Sequence, residues 1–291
     1  MAYKKLTGRR VTMKKQISRI SNKLTKTRVL AEKPELKRHI PDTRRMSRSV
    51  LHAMLQKYQM VYIKPCCGSL GEGVIRVEQR TPTSRGSSGG RDSVVTQKCT
   101  YRYQAGTRVS TFSDYDKAYQ AIMEETGGKS YLVQKGIRLL TYGGRPFDIR
   151  VMVQRNLQGR WEATGAAGRV AHPQKVVTNG SQGGTIYPVE ELLGVHTSVK
   201  KHSALITQMN ELGVKSAIQL SSAYPALNEI GVDFALDRRL IPWILEVNTA
   251  PDPCPFTKLK DTRMLDQMIR YAKAYGRTYN LKCMKAKRGI V

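Results

Sequence analysis

Apolar positions recur in two rhythms along the chain. In Gly231–Pro251, two apolar runs flank the polar turn Asp237-Arg-Arg-Leu240, which predicts a β-hairpin. Phe147 to Gln154 and Arg160 to Val170 predict a second hairpin, closed by Asn156-Leu-Gln-Gly159. Shorter alternating runs predict strands over residues 60–64, 74–79, about 93–103 and 131–137. The helical rhythm appears elsewhere. Ser47 is placed to cap a helix over 48–58. Ser113-Asp-Tyr-Asp116 opens another helix, which Gly127-Gly128 ends. Val199, Leu205, Ile206, Met209 and Leu212 predict a helix over 197–212, and 258–280 reads as a last amphipathic helix. Pro34 and Pro41 punctuate a linker around 31–60, and residues 1–30 read as a basic helical or frayed arm. The low-complexity run from Thr81 to Arg91 predicts a hairpin tip. The pattern is α+β: a small β-rich part and a larger antiparallel sheet backed by helices.

The Gly231 hairpin carries the first chemistry. Side chains alternate along a strand, so Glu246 and Asn248 share a face. A four-residue loop, Arg238 to Ile241, would set Asp233 opposite Glu246. Clustered carboxylates cost energy unless a cation joins them. A hard cation such as Mg²⁺ takes oxygen ligands and shares them with phosphates, so Asp233, Glu246 and Asn248 are candidate metal ligands. The bland alternative is a polar sheet face in water.

Val61 to Val77 carries the second. It reads as strand, Lys64, glycine-rich loop, strand. Gly68, Gly71 and Gly73 can turn backbone N–H groups toward an anion. The lysine precedes the glycines and no Gly-Lys-Ser/Thr follows, so this is not a P-loop. A strand follows Gly73, so it is not a dinucleotide fingerprint. An ordinary turn is the alternative reading.

Together, Lys64-Pro65-x-x-Gly68-Ser69-Leu70-Gly71-x-Gly73, Gln134-x-Gly136-Ile137, Phe147-Asp148-Ile149-Arg150, Asn179-Gly180-x-x-Gly183-Gly184 and the Asp233–Asp252 hairpin resemble the ATP-grasp superfamily. Within it they resemble most the YheC/YheD group of endospore coat-associated proteins, over roughly residues 20 to 281 in motif order. The resemblance implies a β-rich lid subdomain (20–137) and an antiparallel-sheet subdomain (138–291), with ATP and Mg²⁺ (Mn²⁺ as an alternative) between them. A basic arm, 1–19, precedes both. The resemblance implies ATP contacts from Lys23 (with Lys26 next), Lys64, Gly68, Ser69, Leu70, Gly71, Gly73, Gln134, Lys135, Gly136 and Ile137. It assigns catalytic roles to Arg150 and Asn179 and substrate contacts to Asp148 and Arg169. Where relatives carry an acidic hinge residue, this chain has Gln134-Lys135, which shifts adenine recognition onto main-chain groups.

Composition adds a different signal. The net charge is +28. Residues 1–50 hold 16 Lys/Arg against 3 Asp/Glu, and residues 257–291 hold 10 against 2, so the ends contribute 21 of those charges. Such ends attract an anionic polymer or nucleic acid; no pattern for sequence-specific reading is present. No apolar run reaches the roughly 18 residues of a membrane helix, and no signal peptide is visible. Five cysteines without CxxC spacing argue against zinc and disulfides and suit a reducing cytoplasm. The favoured expectation is an ATP-dependent carboxylate–amine (or thiol) ligase with substrates not legible in the sequence, spore-associated by resemblance. The alternative is a nucleotide-binding structural protein of a spore or similar assembly, with basic ends docked on a polyanion.

Overall fold

The computed structural model describes residues 19–69, 71–81, 99–173, 178 and 183–289. Residues 1–18 of the arm, Leu70, most of the Thr81–Arg91 run and of the strand expected at 93–103, and Asn179-Gly180 lie outside them.

The described strands form two sheets, one of six strands and one of seven. The first contains β1 (Thr43–Arg45), β2 (Met60–Pro65), β3 (Ile75–Arg80), β4 (Thr100–Ala105), β5 (Arg108–Phe112) and β6 (Tyr131–Lys135). Their order across the sheet is β1-β6-β2-β3-β4-β5. Helices α3 (Arg48–Tyr58) and α4 (Tyr115–Thr126) cover one face, over Leu51, Leu55, Ile63, Val77, Ile122 and Val133. Ser47 caps α3 by accepting from Val50 N, and Asp114 caps α4 by accepting from Asp116 and Lys117 N.

The second sheet contains β8 (Arg145–Arg155), β9 (Trp161–Val170), β10 (Thr185–Tyr187), β11 (Glu229–Leu236), β12 (Pro242–Asn248) and β13 (Lys287–Arg288). Their order is β12-β11-β8-β9-β10-β13, and the short β7 (Thr141–Tyr142) lies beside β8. One face packs on α1 (Lys23–Ala31), α2 (Pro34–Lys37), α5 (Val189–Gly194) and α6 (Val199–Ala223) around Phe147, Val151, Val232 and Phe234. The other face divides. At one end α7 (Arg263–Ala274) covers Met152 and Ala167; at the other the face turns toward the first sheet.

Three expectations change. The linker at 31–60 is instead ordered: Pro34 opens α2, and Leu30 and Leu36 enter the core of the second sheet. Helix α6 runs past 212 to Ala223. Gly213 does not stop it, because a Cβ there would lie 3.0 Å from Val153 Cγ2, so the glycine lets helix and sheet approach. Cys254 and Cys283 form a disulfide, which overturns the expectation that none forms. It ties the 3₁₀ turn Cys254–Lys258 to the C-terminal segment, and the last helix is confined to 263–274.

Candidate functional site

Strand register builds one wall. Asp233 lies opposite Arg150 on β8 and opposite Glu246 on β12; Gly231 lies opposite Asn248; Arg169 lies opposite Asp148. Alternation puts all of these side chains on one face. The route to the Asp233–Glu246 register differs from the expected one. The loop has five residues, Asp237–Ile241, because Leu236 pairs with Pro242. A β-bulge at Leu245 absorbs the difference. Asp237 shapes the loop, accepting from Arg239 N and Ile241 N at 2.9 and 3.0 Å. The bulge frees the Leu245 carbonyl to accept from Gln134 Nε2 at 3.4 Å and Lys64 Nζ at 3.5 Å. Gly231 is needed where it stands: a Cβ would meet Pro251 Cβ at 2.9 Å and Arg150 at 3.2 Å.

The first sheet and α1 build the facing wall. Lys64, at the end of β2, donates to Gln134 Oε1 at 2.7 Å. Asn22 caps α1 through Thr25 N, which sets Lys23 in the first turn. Lys23 Nζ donates to Gly68 O at 2.7 Å and stands 3.7 Å from Glu246. It therefore ties the glycine loop to the opposite wall. Lys26, one turn further, is 5 % exposed. Tyr62, Val74, Ile137 and Leu139 line an apolar end of the same cleft, beside the polar end formed by Lys64, Asp148, Thr178, Asp233 and Glu246.

Positive charge dominates. Five cations (Lys23, Lys26, Lys64, Arg150, Arg169) face three carboxylates (Asp148, Asp233, Glu246). Two of the carboxylates are held by arginines and the third, Glu246, by Lys23. Arg150 grips Asp233 through Nε and Nη2, and Arg169 reaches Asp148 at 2.6 Å and Asp233 at 3.1 Å. The Thr178 hydroxyl also donates to Asp148. Burial alone would raise the Asp233 carboxyl; Arg150 and then Arg169 outweigh it and hold the group down to about 2. Burial lowers Lys26 to about 8, with Glu246 opposing and Lys23 adding to the fall. Burial also lowers Lys64, again against Glu246. Lysines held this way gain from a polyanion, which restores the preferred charged form.

The chemistry of this donor set decides what fits. Phosphate oxygens fit the lysine wall directly. A divalent cation fits only in part. Asp233 is committed to Arg150 and Arg169, leaving Glu246 and Asn248 on the rim. Among the described residues, no group of three or more His, Cys, Asp or Glu is placed to hold a metal ion. Such a face suits Mg²⁺ whose remaining ligands come from phosphates.

Residues 15–278 match the family model of YheC/D-like ATP-grasp proteins. The chain belongs to the YheC/D-like ATP-grasp family. It is 27% identical over 198 residues to the endospore coat-associated protein YheD of Bacillus subtilis (strain 168), covering 67% of this chain and 40% of that protein. It is 24% identical over 214 residues to YheC of the same organism, covering 73% of this chain and 55% of that protein. The chain thus spans about half the length of these curated relatives. ATP-grasp proteins in general bind ATP and Mg²⁺.

Among the residues singled out from the sequence, the cleft and its buried wall bring together Lys23, Lys64, Gly71, Gln134, Ile137, Asp148, Arg150, Arg169, Asp233, Glu246 and Asn248. Gly68, Gly71 and Gly73 all have positive φ (121°, 74° and 69°), as a glycine loop requires. Gly68 and Ser69 are exposed at its tip. Lys135 points away: its ammonium sits over the Trp243 ring at 4.8 Å and the Tyr58 ring at 5.5 Å. The N–H groups of Lys135 and Gly136 already donate to Asp42 O and Met60 O. Of the expected hinge residues, Gln134 and Ile137 line the cleft. Leu70 and Asn179 lie outside the described residues. Thr178 and the Leu245 carbonyl were not foreseen. A hydroxyl beside an Asn-Gly pair gives no signal, and a bulge is invisible in an alternating apolar run.

Proposed function

We propose that the chain binds Mg-ATP between its two sheets and acts as a carboxylate–amine ligase, with residues 1–19 as a basic arm outside the catalytic unit. The observation that carries this is the excess of cations over carboxylates on the cleft walls, beside an apolar pocket at Ile137. Bound ATP would supply the phosphoryl group that activates a carboxylate as an acyl phosphate for attack by an amine. The chain's own residues position and shield. Lys64 and Lys23 hold phosphate oxygens as point charges. The Gly68–Gly73 loop, tied by Lys23 to Glu246, closes the phosphate end and excludes water. Ile137 and Tyr62 pack the base. Glu246 and Asn248 would hold the metal, which would offset the phosphate charge, and Asp233 fixes Arg150 and Arg169 at the transferring end.

The test is phosphate release from ATP and Mg²⁺ in the presence of pooled amino acids, with Glu246→Gln alongside. Release that depends on an added acceptor and is lost in Glu246→Gln is expected. Saturable ATP binding without release in any pool would favour the second reading: a non-catalytic nucleotide-binding protein of an assembly. Its support is the charge at the ends of the chain, 21 of +28, and the naming of both relatives as endospore coat-associated. Among the described residues, no helix is long and apolar enough to cross a membrane.

A further inference from the structure

Away from the ATP cleft, the second sheet has an edge left open in a groove. Strand β9 pairs with β8 from Trp161 to Val170, but β10 covers only Gly168, Arg169 and Val170. Pro188 follows Tyr187, and a proline has no N–H to continue a ladder, so β10 leaves the sheet there. Among the described residues, no strand lies against the outer edge of Trp161–Ala167. Ala163 to Ala166 of that edge form the floor of a groove of about 570 Å³. Its walls are Ile206 and Asn210 of α6 and Met264 of α7. The floor is made of small residues, Ala163, Gly165 and Ala166; Met264 and Met268 of α7 seat against Gly165, where a Cβ would lie 2.8 Å from Met264 Sδ, and leave the strand edge itself uncovered. Asn210 Oδ1 is buried without a hydrogen-bond partner.

An open edge carries unpaired N–H and C=O groups in a row, which is a template for an extended chain. The rim selects the kind of chain. Lys258, Lys260 and Arg288 border the groove. Of the two carboxylates beside them, Asp261 is taken up by Arg263, leaving Glu190. A second copy of this chain would bring another +28 against the first, which opposes self-pairing here.

We propose that the groove between α6 and α7 binds an extended acidic peptide segment of a partner protein, which adds as a strand along the Trp161–Ala167 edge. Main-chain hydrogen bonds hold the strand. Alternate side chains enter the apolar walls or meet Lys258, Lys260 and Arg288. The proposal does not depend on the nucleotide reading.

The experiment is fluorescence anisotropy with a labelled heptapeptide of alternating Glu and Val, and the same peptide with alternate amides N-methylated. The full-length chain should bind the first peptide saturably, with or without Mg-ATP. N-methylation should weaken binding by about tenfold or more, because it removes the ladder donors and keeps the charge. The double substitution Lys258→Glu/Lys260→Glu, at the solvent-facing rim, should weaken it by a similar factor. Equal binding of the two peptides would reduce the contact to charge on the basic ends and overturn the proposal. Absence of binding would overturn it too. So would a concentration-dependent dimer that excludes the peptide, since the groove would then belong to a second copy.

Discussion

Arg150 and Gln154 stand on one strand, share one face of the sheet, and each lies opposite a carboxylate of β11: Asp233 for the first, Glu229 for the second. Around Gln154, the polar groups close on themselves. Gln154 donates to Tyr275 and Tyr279 at 2.7 and 3.0 Å, both tyrosines donate to Glu229, and Arg277 pairs with it. Gln267 and Tyr271 of α7 satisfy Glu162 nearby. Around Arg150, α1 and the first sheet face the strands across a cleft. Carboxylates there are outnumbered, and lysines from α1 and β2 add to the imbalance. The same strands thus make a structural polar cluster where a helix seals them and a charged wall where a cleft opens. Burying ionic groups is weak evidence for stability, so an unbalanced set that persists invites a ligand to balance it.

The largest effect should come from breaking the charged wall from within. Arg169→Met leaves Asp148 and Asp233 buried beside fewer cations, and urea unfolding should show a loss of about 3–5 kcal/mol. A loss below about 1 kcal/mol would mean that water or Arg150 compensates, and that the wall is open to solvent. Next, Lys64→Ala should weaken Mg-ATP by about 1.5–3 kcal/mol without lowering the unfolding midpoint. Unchanged affinity would move the phosphate lysine elsewhere. The sealed end should behave in the opposite way. Tyr279→Phe removes a hydroxyl that donates to Glu229 and should cost about 1–2 kcal/mol of stability while leaving Mg-ATP affinity as it was. A shift in affinity would couple the two ends.

The smallest effect concerns pH. Burial lowers Lys26 to about 8, so the free cleft loses this charge as pH rises through that value. Mg-ATP binding should weaken by about 1 kcal/mol between pH 7 and 9. Lys26→Met should flatten that part of the profile. Folding responds with the other sign. The folded-state value lies below the ordinary 10.5, so the unfolded chain holds the extra proton between about 8 and 10.5, and this group adds stability as pH rises there.

The contrast was only half legible in the sequence. Asp233 and Glu246 announced themselves as carboxylates in apolar strands, and hairpin register carried them together. The loop and the bulge each departed from the simplest geometry by one residue, in compensating directions. Lys64 and the glycine loop were legible because backbone freedom and charge there have local signatures. The α1 wall was legible only through the family resemblance, which named Lys23 and then Lys26, and not through its own pattern. Leu24 and Leu30 are buried without forming a clean stripe, and the basic residues between them read as an arm. Lys26 points inward for tertiary reasons that a nine-residue segment does not display. The cover on Gln154 was hidden as well. Tyr275 and Tyr279 reach Glu229 from beyond α7, 46 and 50 residues away in sequence.

The central claim is that the open end of the sheet holds a nucleotide polyphosphate. Calorimetric titration of the chain with Mg-ATP, and separately with AMP, tests it most directly. Both carry the same base, but AMP lacks the polyphosphate that the lysine wall would hold. One saturable Mg-ATP site, with AMP weaker by about tenfold or more, is the predicted result. No saturable heat with Mg-ATP, or equal affinity for AMP, would contradict the account.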